Sequence, residues 1–294
     1  MIKNYTFAIT ILLSTLLFFP ACQEKAAQSD TATKEIYIQL YSVRDDIKAD
    51  YDATISTVAE MGYTGIEAAG YNDGQFYGMD PVDFKNSIEA TGMEVLSSHT
   101  THPLAPNPAE SDWDAIWAWW DTAIEAHKAA GMKYIVAPWM PAPETLEALD
   151  IYSQYYNEVG EKCNAAGMRF GYHNHDFEFR EVEGEIMYDY LIANTDADKV
   201  FFQMDVYWVL KGGKDPVEYF NNYPGRFELL HIKDEKEIGE SGEVDFEKIF
   251  THVDVSGAKY MIVEVERYTG TPIEGVQESI DFLLNAEYVK DSYK

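Results

Sequence analysis

From Glu35 onward, short apolar runs alternate with longer amphipathic stretches, eight times over. The runs are EIYIQLY (35–41), GIEAAG (65–70), EVLSSH (94–99), KYIVAP (133–138), RFGYHN (169–174), VFFQMD (200–205), FELLHI (227–232) and YMIVEV (260–265). Each has the length of a strand, and helix signals fill the gaps. Residues 52–61 end at Gly62; Asp80-Pro81 offers a cap followed by proline in the first turn, and Gly92 closes that helix. Residues 111–130 end at Gly131 and 144–166 at Gly167. A shorter helix follows at 186–193, others start at Asp215-Pro216 and at Asp245, and 273–286 closes the series. The segments MGYTGIE, TGMEVLS, AGMKYIV, AGMRFGY and SGAKYMI repeat one order: glycine as a left-handed helix stop, then an apolar strand. Eight such units predict a closed (βα)8 TIM barrel rather than an open doubly wound sheet. The first strand runs into YSVRDD with no glycine fingerprint for a dinucleotide.

In such a barrel, polar residues at the C-terminal strand ends face the active site. Strands five to eight end on His173, Asp205, His231 and Glu264, separated by 32, 26 and 33 residues. Each gap is close to the roughly 30 residues of one βαβ unit. Two imidazoles and two carboxylates therefore converge on one point, which is the donor set of a divalent metal site. Mn²⁺ or Zn²⁺ suits it best, with Co²⁺ or Fe²⁺ next, since Mg²⁺ and Ca²⁺ favour all-oxygen shells. His175 shares the strand parity of His173 and is the alternative ligand. Glu178 is a candidate to orient an imidazole from behind. The remaining strand ends supply Gln39, Tyr41, Glu67, His99 and Trp139, and beyond Asp205 and Glu264 come Trp208 and Glu266; these are the candidate substrate contacts. Trp139 and Trp208 suit a sugar-stacking wall. The tryptophans of WDAIWAWW (113–120) fall at helical spacing and read as packing of a helix on the barrel.

The N-terminus is different in kind. Lys3 precedes a mainly apolar run from Thr6 to Phe19, and Pro20, Ala21 and Cys22 end it. This reads as an export signal over residues 1–21, and a cysteine at that point resembles a bacterial lipoprotein signal. The resemblance implies a lipid anchor at Cys22 and a place in the periplasm or outer membrane of a Gram-negative bacterium. Residues 22–33 are small and polar, a tether, which leaves 34–290 for a single barrel domain. Beyond Cys22 the only cysteine is Cys163, in a helical pattern, where it reads as a small buried residue. The chain carries 51 acidic against 22 basic residues, a formal charge of −29, which excludes a nucleic-acid partner. No glycine-rich phosphate loop follows strands seven and eight, and the expected partner is a small unphosphorylated sugar.

The frames QLYSVR, GIEAAGY, SSHTTH, YHNHDFEF, LLHIKDEKE and IVEVER resemble the sugar phosphate isomerase/epimerase family with its xylose-isomerase-like barrel. The resemblance spans residues 34–290. It implies one divalent ion held by Glu, Asp, His and Glu from strands five to eight, with the two glutamates moving a proton through a metal-stabilised enediolate. Asp205, His231 and Glu264 match three of these ligands. The first glutamate, in a frame usually reading Glu-Asn-His, falls on His173 of His173-Asn174-His175, and Trp208 replaces a substrate-binding histidine. With one glutamate gone, Glu264, His173 and Lys233 are the candidate catalytic groups. One base and one acid suffice for an aldose–ketose shift. They also suffice to eliminate a group beta to the ketone of a 3-keto-glycoside or keto-inositol. The departure equally permits a carbohydrate-binding lipoprotein without catalysis.

Overall fold

The computed structural model describes residues 34–294 together with Met1. The expected signal (1–21) and tether (22–33) lie outside the described residues. Eight parallel strands close on themselves: β1 Ile36–Gln39, β2 Gly65–Ala68, β3 Glu94–His99, β4 Tyr134–Ala137, β5 Arg169–His173, β6 Val200–Asp205, β7 Leu229–Ile232 and β8 Tyr260–Val263. β1 pairs with β2 on one side and with β8 on the other, so the sheet is a barrel, as the eightfold pattern predicts. Every strand falls within its expected run. Five of the eight stop one or two residues before the end of the run.

Helices follow each strand. Asp80, Asp215 and Asp245 cap Pro81–Glu89, Pro216–Asn222 and Phe246–Ser256. The glycines that close five of the units adopt left-handed backbone, from φ 75° at Gly131 to 102° at Gly62, a conformation that a Cβ disfavours. The sequence pattern missed a helix at Val206–Lys211, which starts directly at the end of β6, the short helical turns Leu40–Val43 and Arg44–Ala49, and two small hairpins.

Side chains alternate between two cores. Tyr37, Leu96, Tyr134, Val136, Phe201, Leu229, Tyr260 and Ile262 fill the barrel interior, whereas residues such as Ile38, Ile66, Tyr172, Phe202 and Leu230 pack outward against helices. Trp120 is fully buried edge-on to Phe170, which confirms the packing role of the tryptophan run. Cys163 is a free, buried thiol. The apolar plug occupies the lower barrel, so the next inward residue on each strand, one repeat of two further on, is the first free to be polar. β3 reaches this level only through an irregularity. Its register slips between Ile66/Val95 and Glu67/Ser97, leaving Leu96 as an extra residue. Such a bulge shifts the alternation by one, and so Leu96, Ser97 and His99 all serve the interior. No helix among the described residues is long and apolar enough to cross a membrane.

Candidate active site

The register of the sheet builds the site. Asp205 on β6 lies opposite His231 on β7, and Gln203 lies opposite His173 on β5. Glu264 follows the last residue of β8. One ligand-capable atom from each of His173, Asp205, His231 and Glu264 lies within 4.8 Å of the others, and all four residues are buried. His175 is outside this group; its ring stands 5.1 Å from that of His173 and 5.7 Å from that of Trp208, on the pocket wall. A second cluster of three imidazoles, His99, His173 and His231, overlaps the first.

The donor set fits a divalent ion on two further counts. Asp205 caps the helix Val206–Lys211, its Oδ1 accepting the Trp208 backbone N–H at 2.9 Å. Its Oδ2 is buried with no hydrogen-bond partner among the described residues, and so is His173 Nδ1. Buried polar atoms are rarely left unpaired, and these two lie within one cluster of ligand-type residues that could hold a metal ion.

Electrostatics point the same way. Burial pushes the Asp205 carboxyl up despite the Lys233 ammonium nearby, and burial with two neighbouring imidazoles holds His173 well below its ordinary value. Both follow from packing ionisable groups together in a buried cluster. Glu264 behaves oppositely: Lys233 and His231 outweigh its burial and hold it well below the usual carboxylate range. His231, buried between Glu67 and Glu264, is pushed up to about 10 by these carboxylates. Lys233 is itself buried, with Nζ 3.5 Å from both Glu264 Oε2 and Glu266 Oε2.

Above the cluster opens a pocket of about 350 Å³ lined by Tyr41, Ala69, His99, Pro138, Trp139, His173, His175, Glu264 and Glu266. Tyr41 and Trp139 are its most exposed aromatics, at 44% and 46%, and their faces suit the C–H face of a sugar ring. Five of the expected substrate contacts, Tyr41, His99, Trp139, His175 and Glu266, thus line it.

Three do not. Gln39 and Glu67 are fully buried beneath it, because inward positions at that level close into a hydrogen-bonded floor. Glu67 Oε1 accepts from Gln39 Nε2 at 2.9 Å and lies 2.7 Å from His231 Nε2; Oε2 accepts from Ser97 Oγ at 2.7 Å and from Gln203 Nε2 at 2.9 Å. Trp208 is not part of the lining: its ring lies behind it, 5.7 Å from that of His175, and its backbone N–H donates to Asp205. Glu178 also differs from expectation. It holds the backbone N–H of His175 at 2.8 Å and the Tyr172 hydroxyl at 2.6 Å, and touches no imidazole. The sequence reading missed Asn174, which faces outward: its Oδ1 accepts from the Asp205 N–H at 3.1 Å and from the Tyr188 hydroxyl at 3.2 Å, pinning β5 to the end of β6.

A closed (βα)8 barrel with its polar strand ends gathered under one pocket is the fold class of the sugar isomerase/epimerase-like TIM barrels. The family model described as "Xylose isomerase-like TIM barrel" matches residues 55–286, and the chain belongs to this family. A crystal structure of a sugar phosphate isomerase/epimerase from Parabacteroides distasonis ATCC 8503 superposes with a TM-score of 0.84 at 34% identity, covering 91% of this chain and 99% of that one. The inosose dehydratase of Geobacillus kaustophilus is 27% identical over 214 residues, 65% of this chain and 66% of that protein. The inosose dehydratase of Lacticaseibacillus casei is 23% identical over 260 residues, 74% of this chain and 82% of that protein.

Proposed function

We propose that this chain is a metal-dependent enzyme that enolises a sugar or keto-sugar, isomerising or epimerising it. The observation that carries this reading is the cluster of His173, Asp205, His231 and Glu264 at the floor of the pocket, with unpartnered ligand atoms on two of the four. A divalent ion held there would bind the carbonyl and a neighbouring hydroxyl of the substrate and favour negative charge on them. Tyr41 and Trp139 hold the ring against the pocket wall. A pocket-facing carboxylate, Glu264 or Glu266, accepts the proton alpha to the carbonyl, and the Lys233 ammonium lies 3.5 Å from both. In isomerisation a proton, exchanged with solvent on that carboxyl, returns to the neighbouring carbon while a hydroxyl proton passes from one oxygen to the other, and the composition is unchanged.

A second reading has its own support. His173 stands where the resemblance expects a second glutamate, and the similar curated proteins carry the name inosose dehydratase. One base and one acid then remove the alpha proton and protonate a departing beta oxygen, releasing water or an aglycone from a keto-inositol or 3-keto-glycoside.

Incubation of the Mn²⁺-loaded protein with ketoses and with 3-keto-glycosides in deuterated water separates the two. Carbon-bound deuterium in product of unchanged composition supports isomerisation, and release of water or aglycone supports the lyase. No exchange with any of them, in a protein isolated metal-free and indifferent to Asp205→Asn, leaves a carbohydrate-binding role.

The same reading includes export and a lipid anchor at Cys22, supported by the basic, apolar and small-residue order of residues 1–22. Membrane fractionation of wild type and Cys22→Ser tests it: loss of the protein from the membrane fraction in the variant is the expected result, and unchanged partition contradicts it.

A further inference from the structure

We infer that Glu67 is a positioning residue for the metal centre: it fixes the His231 ring so that Nδ1, and not Nε2, is the atom offered to the cation. This rests on the metal-binding reading above and adds a residue from the opposite side of the barrel to it. Glu67 sits on β2 and His231 on β7, so their contact spans the interior. His231 Nε2 lies 2.7 Å from Glu67 Oε1, whereas Nδ1 lies on the side of Glu264, 3.4 Å from its Oε2.

Every other neighbour of Glu67 is a donor. Gln39, Ser97 and Gln203 each donate to it, and His99 Nε2 approaches Oε1 at 3.1 Å while lying 2.8 Å from Gln203 Oε1. Gln203 uses its Nε2 as donor to Glu67, so its Oε1 is free to accept from His99, which fixes His99 with a proton on Nε2. With three amide or hydroxyl donors already placed, Glu67 has lone pairs and no proton to offer, so the proton in the contact with His231 belongs to Nε2. Nδ1, on the Glu264 side, is then the nitrogen whose proton a cation displaces. A carboxylate behind a ligating imidazole sets its tautomer and raises its basicity, and losing one lowers metal affinity by about 10- to 100-fold. Glu67 itself cannot be a ligand in this arrangement, because both its oxygens are committed to the floor.

The bulge in β3 belongs to the same device. Without the bulge, strict alternation from the inward-facing Leu96 would turn Ser97 and His99 outward and leave Glu67 with fewer donors.

The test uses the full barrel freed of metal by chelation, titrated with Zn²⁺ against a chromophoric chelator. Glu67→Gln is expected to bind Zn²⁺ about 10- to 100-fold more weakly than wild type; equal affinity overturns the inference. Wild type that binds no Zn²⁺ at all instead overturns the metal-centre reading on which it rests. The tautomer is read directly in the Zn²⁺-loaded wild type by ¹⁵N–¹H correlation of the histidine rings, which needs no variant to fold. A His231 ring with a protonated Nε2 and coordinated Nδ1 is expected, and coordination through Nε2 overturns the proposal. Ser97→Ala, which removes one donor from Glu67 and no charge, is expected to weaken Zn²⁺ binding several-fold, and unchanged affinity would count against the floor as a unit.

Discussion

Replacing Lys233 by methionine keeps most of the side chain's stem and removes its charge. The residue is only 2% exposed, and its Nζ lies 3.5 Å from Glu264 Oε2 and from Glu266 Oε2. At an effective dielectric near 20, unit charges at that separation attract by about 5 kcal/mol. Glu266 is about a third exposed, so water screens its share and most of the effect rests on Glu264. Breaking a buried pair by removing one partner destabilises by about 3–5 kcal/mol, since the other charge stays buried. In metal-free protein Lys233→Met is therefore expected to lose about 3–5 kcal/mol, a fall in Tm on the order of 10 °C for a domain of this size. A divalent ion on Glu264 takes over the compensation, so under saturating Mn²⁺ the deficit should shrink to about 1–2 kcal/mol. Urea unfolding of both proteins, with chelator and with Mn²⁺, gives the four stabilities. An identical deficit with and without metal would refute the reasoning, as would a metal-free deficit under about 1 kcal/mol.

Trp139→Ala removes an exposed aromatic face of the pocket; KM should rise three- to tenfold, about the 0.5–1.5 kcal/mol of one aromatic contact, with kcat and metal affinity little changed in steady-state and titration assays. Burial raises the Glu178 carboxyl to about 7, above its unfolded value of about 4.3. The folded state then binds more protons than the unfolded one between these values, so this contribution is complete below about pH 4.3 and is lost as pH rises through about 7. Wild-type stability relative to Glu178→Gln should fall by up to about 3 kcal/mol from pH 4.5 to 8 in urea titrations, and a flat or rising difference contradicts this. Gly160→Ala should lower Tm by several degrees in calorimetry. Alanine favours a helix by about 1 kcal/mol, but its Cβ would lie 2.3 Å from the Lys199 carbonyl oxygen, a backbone clash worth about 1–3 kcal/mol.

The eight strands and most of the helices were legible because apolar runs, aspartate caps and stop glycines report local physics. The four cluster residues were legible because strand-end spacing repeats with the βαβ unit. What was hidden depends on contacts distant in sequence. Gln39 and Glu67 look like pocket residues from strand parity alone, yet they close a floor with Ser97, Gln203 and His231, which no local pattern encodes. His99 faces the interior only because Leu96 is bulged, and EVLSSH carries no mark of that. The helix Val206–Lys211 escaped notice because it is only six residues long and starts directly after β6. Asp205 followed by a short apolar helix was the available signal, since aspartate is a favoured N-cap. Asn174 escaped notice because it points away from the pocket; the frame His-Asn-His drew attention to the histidines on either side.

The most direct measurement is anomalous diffraction from crystals of the Mn²⁺-loaded barrel. A single strong peak at coordination distance, about 2.0–2.3 Å, from His173, Asp205, His231 and Glu264, with His175 outside the shell, is the predicted result. No peak in the barrel, or a peak held by His175 away from Asp205 and Glu264, would contradict it.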